Sequence, residues 1–228
     1  MAVSPAMLDA FEIVRKNLGL LGQALLVTVE LNVASIALAL TLGTLMGIGR
    51  VYGPRWLNVV LGLVIDVVRS IPILVIMVWM FFGLPLLLGL RVFPAFLAGM
   101  LALGIHTGVY IAEIVRGGLS SVRAGQMQAA MALGMSWHQA VGRIILPQAF
   151  IRMMPPLNTR VVRNIKDSVL ASTIAVQELF WAANLLEGET AKPFPIYTTL
   201  MVFYFLVIVV VARVLEHMYV RVAPRGAS

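Results

Sequence analysis

The chain has 228 residues, of which 61% are hydrophobic and only 12% charged, with a mean hydropathy of +0.96. Soluble domains carry about 25% charged residues, so the composition is that of a polytopic membrane protein with little room for a soluble domain. The net charge of +7 is read as topology rather than nucleic-acid binding, and the absence of cysteine excludes disulfides and thiolate metal sites.

Residues 6–17 set Asp9, Glu12, Arg15 and Lys16 around Leu8, Phe11 and Ile13, which predicts a short amphipathic helix lying at the membrane surface. No apolar core followed by a small-residue cleavage site occurs there, so no signal peptide is expected. Residues 18–49 are apolar apart from Glu30. That is longer than the roughly 20 residues a span needs, so the first helix should tilt or project beyond the bilayer core. A turn with Arg50, a Gly-Pro break and Arg55 follows. The second apolar region, from Trp56 to Leu90, is interrupted at 66–72, where Pro72 predicts a kink or a new helix start. Residues 92–112 form a third span containing His106, and 113–152 a polar excursion. Residues 153–186 are apolar around a charged knot at 160–168, and 196–212 make an uncharged final span.

Five spans put the two ends on opposite sides. The turn at 50–55, the excursion and the C-terminal tail then share Arg50, Arg55, Arg116, Arg123, Arg143, Arg152, Arg213, Arg221 and Arg225. The opposite loops hold Arg91, Lys192, Glu187 and Glu189, and the N-terminal Arg15 and Lys16 weaken the bias without reversing it. The positive-inside rule places the excursion and C-terminus in the cytoplasm and the N-terminus outside.

Within the excursion, residues 119–133 can form a helix stripped of bulk by Ala129, Ala130 and Ala132. Gly134 stands where a helix C-terminus needs left-handed geometry, residues 136–145 restart a helix, and Pro147 restricts its far end. Such a helix is either an interfacial linker or a docking knob for a cytoplasmic partner. No G-x-x-x-x-G-K-[ST] occurs, so ATP must be handled by another polypeptide, and no G-x-S-x-G or H-E-x-x-H occurs, so an integral-membrane enzyme, a further rival reading, lacks a recognisable catalytic constellation.

Gln128-Ala129-Ala130, Gly134, and Ile144, Leu146 and Pro147 stand at the spacing of a known signature. It is that of the permease subunits of bacterial binding-protein-dependent ABC importers, with Gln128 in place of the usual Glu. Gln keeps the length and an acceptor but loses the charge, so an ion pair made there with the ATPase should weaken while packing survives. The segments "VVRSIPILVIMVWMFFGLP", "YIAEIVRGGLSSVRAGQ", "ILPQAF" and "IKDSVLASTIAVQEL" resemble the polar amino acid branch, with Lys166-Asp167-Ser168-Val169-Leu170 where that branch usually has K-D-T-S-L. The likeness covers most of residues 20–215.

The resemblance implies an all-α integral membrane fold, a MetI-like core of five transmembrane helices with an N-terminal amphipathic segment (1–17), a permease domain (18–220) containing a coupling loop (117–147), and a cytoplasmic tail (221–228). It implies an inner-membrane transport subunit, not an enzyme. A second permease subunit (identical or related), a cytoplasmic ABC ATPase dimer that holds ATP and Mg, and an extracytoplasmic amino-acid-binding protein complete the importer. Gln128, Ala129, Ala130 and Gly134 are the expected coupling residues. Polar amino acids are the expected cargo, with a lean to glutamate or aspartate. An importer for opines or other amino acid derivatives, and an ATP-independent channel or secondary carrier, are the alternatives.

Charges inside the spans need a reason, since each costs at least about 2.5 kcal/mol on insertion scales. Arg69 either faces the pathway and meets a substrate carboxylate, or lies at the boundary, snorkels or pairs with Asp66. Glu30 is a buried partner of a basic residue or sits above the core. Glu113 and Arg116 are spaced to pair, and Lys166 with Asp167 to hold a kink in the fourth span. Arg160 and Arg163 share a face, either near a passing anion or in a charged patch. Arg69, Arg163 and Lys166 are therefore the candidate pathway residues. His106 reads as a hydrogen-bonded helix contact, and His138 and His217 are too scattered for a metal site. Met77, Met80, Met100, Met127, Met131 and Met135 read as packing.

Overall fold

The computed structural model describes residues 5–222, and side chains from residue 11 onward. Leu8, Asp9 and Arg225 of the sequence reading, with most of the 221–228 tail, lie outside the described side chains. Every regular element among the described residues is helical. Three helices are long and apolar enough to cross a membrane alone, α2 (Leu18–Tyr52), α6 (Ala95–Ser120) and α11 (Pro193–Val222). Two broken pairs supply two more spans: α3 (Arg55–Ser70) followed by Ile73–Leu87, and Trp137–Ile174 followed by α10 (Leu179–Thr190). These are the five expected spans. At about 1.5 Å per residue α2 is about 52 Å long, against about 30 Å of hydrocarbon.

Proline explains most of the interruptions. Pro72 forbids helix at the residue before it, and Ile71 is extended at φ −97° and ψ 130°. After it come α4 (Ile73–Val78), a π turn (Trp79–Gly83) and α5 (Leu84–Leu87). A second π turn (Val141–Ile145) joins α8 (Trp137–Ala140) to α9 (Leu146–Asp167). Both π turns run directly into a Leu-Pro pair, Leu84-Pro85 and Leu146-Pro147. A proline inside a helix clashes with the carbonyl four residues back and cannot donate to it, and widening the turn relieves both problems. Pro147 therefore does not close its helix, as the sequence suggested, because the wider turn absorbs it.

The chain packs as two units, one from residues up to 35, 73–103 and 165–211, the other from 36–72, 104–164 and 212 onward. In the first, α1 (Pro5–Lys16) buries Val14, with Phe11 and Ile13 half-buried, on a cluster of Leu21, Ala24, Leu179, Leu186 and Ile196. The described part of its apolar stripe is thus covered by protein, while Lys16 beside Glu12 (3.3 Å) holds that carboxyl below its ordinary range. Glu30 is exposed, which removes the buried-partner reading. Glu178, fully buried, accepts the N–H groups of Phe180 and Trp181 (2.9 and 2.8 Å) and the Tyr204 hydroxyl (2.7 Å), fixing the start of α10. α9 ends at Asp167 in a 3-10 stretch, Ser168–Ile174, held by the Asn32 amide donating to Ser168 Oγ (2.9 Å). The helix only tightens to 3-10 after Lys166 and Asp167; the break in the fourth span lies further on, between Ile174 and Leu179, where Ala175 turns left-handed at φ +61°.

In the second unit, α2 and α6 touch backbone to backbone. Ala39 and Gly43 on α2 face Gly108 on α6, Gly43 also meets Ile111, Gly47 faces Ala112 and Val115, and Gly104 receives the Leu38 side chain. A Cβ built on Gly43 would meet the Gly108 carbonyl oxygen at 2.6 Å, and one on Gly47 the Val115 Cβ at 2.6 Å. This is small-residue packing of the kind that lets membrane helices gain dispersion energy where lipid supplies no hydrophobic drive. Ile65 from α3 buries against Val109 and Ala112.

Candidate functional site

α6 runs eight residues beyond the expected end of the third span, to Ser120. Glu113 is the reason: it binds Arg116 one turn on (2.9 Å) and also Arg50 from the end of α2, whose Nε holds Asn58 (3.1 Å). The paired charges leave no local cause for the helix to stop. The excursion therefore starts at Ser121, and its helix, α7 (Ala124–Ala132), is shorter than the expected 119–133.

Gly134 closes α7 with φ +82°, the left-handed geometry expected of it, and Met135 N–H reaches back to the Ala130 carbonyl (3.1 Å). Ser136 then starts α8 through a capping box, accepting from Gln139 N–H while the Gln139 side chain accepts from Ser136 N–H (2.9 Å). Ala130 is buried and seats α7, whereas Gln128, Ala129 and Gly134 are exposed. Met131 and Leu133 are exposed too, so Met131 is not a packing residue within this chain. Gln148 on α9 ties the loop down by donating to Gln126 Oε1 (2.7 Å), and Trp137 packs edge-on against Tyr52 at 5.4 Å.

Below the loop lies a cavity of about 580 Å³. Tyr110, Glu113, Gly117, Gly118 and Ser121 line it from α6 and the turn after it, Arg69 from α3, and Arg152, Pro156, Thr159, Arg160 and Arg163 from α9. Four guanidinium groups thus face one carboxylate, and that carboxylate already serves Arg50 and Arg116. Arg160 is 6% exposed, donates to His106 Nδ1 and Thr107 Oγ1 (3.1 Å each), and lies 4.1 Å from the Tyr110 ring centroid. His106 makes the interhelical contact expected of it. Thr107 in turn donates to the buried Asn164 (2.7 Å). Arg152 donates to the Ser121 carbonyl and, at 3.1 Å, to its hydroxyl. Arg69 lies over the Tyr110 ring at 4.9 Å and makes no ion pair with Asp66.

The cavity brings together Arg69 and Arg163 of the sequence candidates. Lys166 is exposed and outside the lining. Tyr110, Arg152 and Thr159 were missed, although a stripe is visible in retrospect: His106, Tyr110, Glu113 and Gly117 recur at helical spacing through an apolar span, as do Arg152, Pro156, Thr159 and Arg163. The small-residue seam was equally legible as Gly43-x-x-x-Gly47.

Residues 39–225 match the family of binding-protein-dependent transport system inner membrane components. The chain belongs to that family. The glutamine transport system permease protein GlnP of Escherichia coli K12 is 33% identical to this permease over 84% of its chain and 87% of its own. A probable glutamine ABC transporter permease protein GlnM of Bacillus subtilis is 36% identical over 78% and 81%. The crystal structure of an amino acid ABC transporter with histidines superposes with a TM-score of 0.85 at 27% identity, covering 97% of the permease and 100% of that chain. A chain of the inward-facing MetNI methionine ABC transporter shares the fold, with a TM-score of 0.78 at 17% identity over 92% and 99%.

Proposed function

We propose that this permease forms the transmembrane pathway of an ATP-driven importer for polar amino acids in the bacterial inner membrane, with its N-terminus outside and its C-terminus in the cytoplasm. Its partners are a second permease subunit, a cytoplasmic ATPase dimer that holds ATP and Mg, and an extracytoplasmic binding protein. The amphipathic segment 1–17, the membrane domain 18–220 with its loop 117–147, and the tail 221–228 divide the work. Gln128, Ala129 and Gly134 form the face that meets the ATPase, and buried Ala130 sets its height. Gln128 makes that contact without charge. Within the cavity Arg69 and Arg163 are the pathway residues, while Lys166 acts outside it.

The observation that carries the reading is the arginine-lined cavity next to the loop helix. Amino acids present a carboxylate, guanidinium binds it in a bidentate way, and a lining that carries four arginines favours a second carboxylate on the cargo. Glutamate and aspartate meet that condition. Glutamine is the second reading, favoured by the names of the relatives. Proteoliposomes containing the permease, its ATPase and its binding protein are expected to take up labelled polar amino acids only with ATP, with glutamate competing better than glutamine. Uptake by the permease alone without nucleotide would refute the ATP-driven reading, and preference for arginine or lysine would refute the carboxylate argument.

A further inference from the structure

We infer that Arg69 is the specificity-determining residue of the cavity, a movable carboxylate ligand that rests on the Tyr110 ring when no cargo is present. The inference rests on the amino acid reading above and names which group reads the cargo.

The two guanidiniums over Tyr110 are held very differently. Arg160 is buried and bonded to His106 and Thr107, so its position is fixed by α6 and α9. Arg69 is exposed at the last turn of α3, two residues before the extended Ile71. Among the described residues it has no ion pair and no hydrogen bond; it faces the Tyr110 ring at 4.9 Å and attracts the Glu113 carboxylate only at longer range. A ring holds a cation by its quadrupole and uses none of its N–H donors. All five donors of Arg69 therefore remain for a ligand, in the fork that fits a carboxylate.

Electrostatics drives the same way. Arg69 sits in a cavity with three more guanidiniums, and the Glu113 carboxylate, paired with Arg50 and Arg116, reaches Arg69 only at longer range. Like charges gathered against low-dielectric walls raise the local affinity for an anion, and the charge that can move most easily swings to meet it. A cavity of about 580 Å³ has room for an acidic amino acid with some water. Thr159 and Ser121 on its walls supply neutral hydroxyls for the rest of the molecule. A dicarboxylic amino acid would offer movable Arg69 its side-chain carboxylate, whereas glutamine would offer a neutral amide in its place.

The test titrates the full-length permease in lipid nanodiscs with L-glutamate and with L-glutamine by calorimetry, and measures uptake of both by the complete importer. Arg69→Gln is expected to weaken glutamate binding by about tenfold or more, the loss of one charge-assisted contact, while changing glutamine binding less than about threefold. Arg69→Lys should recover part of the difference. Tyr110→Phe keeps the ring and should match the wild type, whereas Tyr110→Leu removes the resting contact that competes with cargo and should raise the glutamate-to-glutamine ratio. An unchanged ratio in Arg69→Gln, or an equal loss for both ligands, overturns the inference. If Arg69→Gln does not fold, equal ratios in Tyr110→Phe and Tyr110→Leu overturn it. ATP-driven amino acid uptake with an Arg69-independent ratio would leave the importer reading standing and sink this one. Arg69-dependent glutamate binding without any amino acid uptake would do the reverse.

Discussion

One substitution, glycine to alanine, should act with opposite sign on two helices of the same unit. At Gly43 the added methyl would stand 2.6 Å from the Gly108 carbonyl oxygen and 2.6 Å from Ile111 Cβ, and at Gly47 it would stand 2.6 Å from Val115 Cβ and 2.7 Å from the Ala112 carbonyl oxygen. Ordinary contact begins at 3.4 Å, so α2 and α6 would have to separate by about 0.8 Å. Backbone cannot swing aside as a long side chain can. Overpacking of this kind costs about 1–3 kcal/mol, and the better helix propensity of alanine returns about 1. The two glycines are one turn apart on one seam, so both substitutions demand the same separation and their effects should not add. With the separation cost near the top of that range and shared by both sites, and two alanines returning about 2, the double variant loses about 1 kcal/mol net, a fall of about 2–4 °C in the unfolding midpoint. Gly117 lies on α6 with nothing within 4 Å of its built Cβ, so Gly117→Ala keeps only the propensity gain and should raise the midpoint by a few degrees, about 2–4 °C. Thermal unfolding of the detergent-solubilised chain, followed by tryptophan fluorescence, reads both. Gly43→Ala and Gly47→Ala variants that unfold at or above the wild-type temperature would refute the tight seam.

Gly134→Val places a β-branched residue at φ +82°, a strain of about 1–2 kcal/mol with no steric clash, so the assembled importer should insert normally yet lose ligand-stimulated ATP hydrolysis. Normal stimulation would count against a coupling role for the end of α7. Glu113→Ala strands Arg50 and Arg116 in a part-buried site and should lower the unfolding midpoint by about 4–8 °C, the effect of about 2 kcal/mol once partial exposure is allowed for. Gly117→Val points bulk into open cavity space, so uptake should fall several-fold with an unchanged unfolding midpoint, and full uptake would show that cargo does not pass this wall.

The spans were legible because the bilayer demands long apolar runs, and the break at Pro72 because proline has one backbone consequence on its N-terminal side. The end of α6 was not legible from hydropathy. Glu113 and Arg116 read as the start of a loop, whereas their pairing with each other and with Arg50 lets the helix run on to Ser120. Pro147 misled for a similar reason, since a proline that follows a π turn continues a helix instead of ending it. Of the candidate site, Gly134 was readable as a backbone requirement, and Arg69 and Arg163 as charges out of place. Tyr110 was not, because its part depends on Arg69 and Arg160 converging on one ring from helices far apart in sequence.

The loop helix and the cavity share their supports, and that sharing constrains any mechanism that drives one with the other. Gln148 on the first turn of α9 holds Gln126 of α7. Arg152, one turn further, holds Ser121 at the base of the loop and lines the cavity. Met153 fills the space beside Gly118, where a built Cβ would come within 2.3 Å of its Cγ. Pro156, Thr159 and Arg160 follow on the same helix as cavity wall. α7 is thus tied to the cavity wall through two or three turns of one helix. Coupling needs an element with discrete arrangements that both sites bias, and here α9 with its π turn at Val141–Ile145 is the element that touches both.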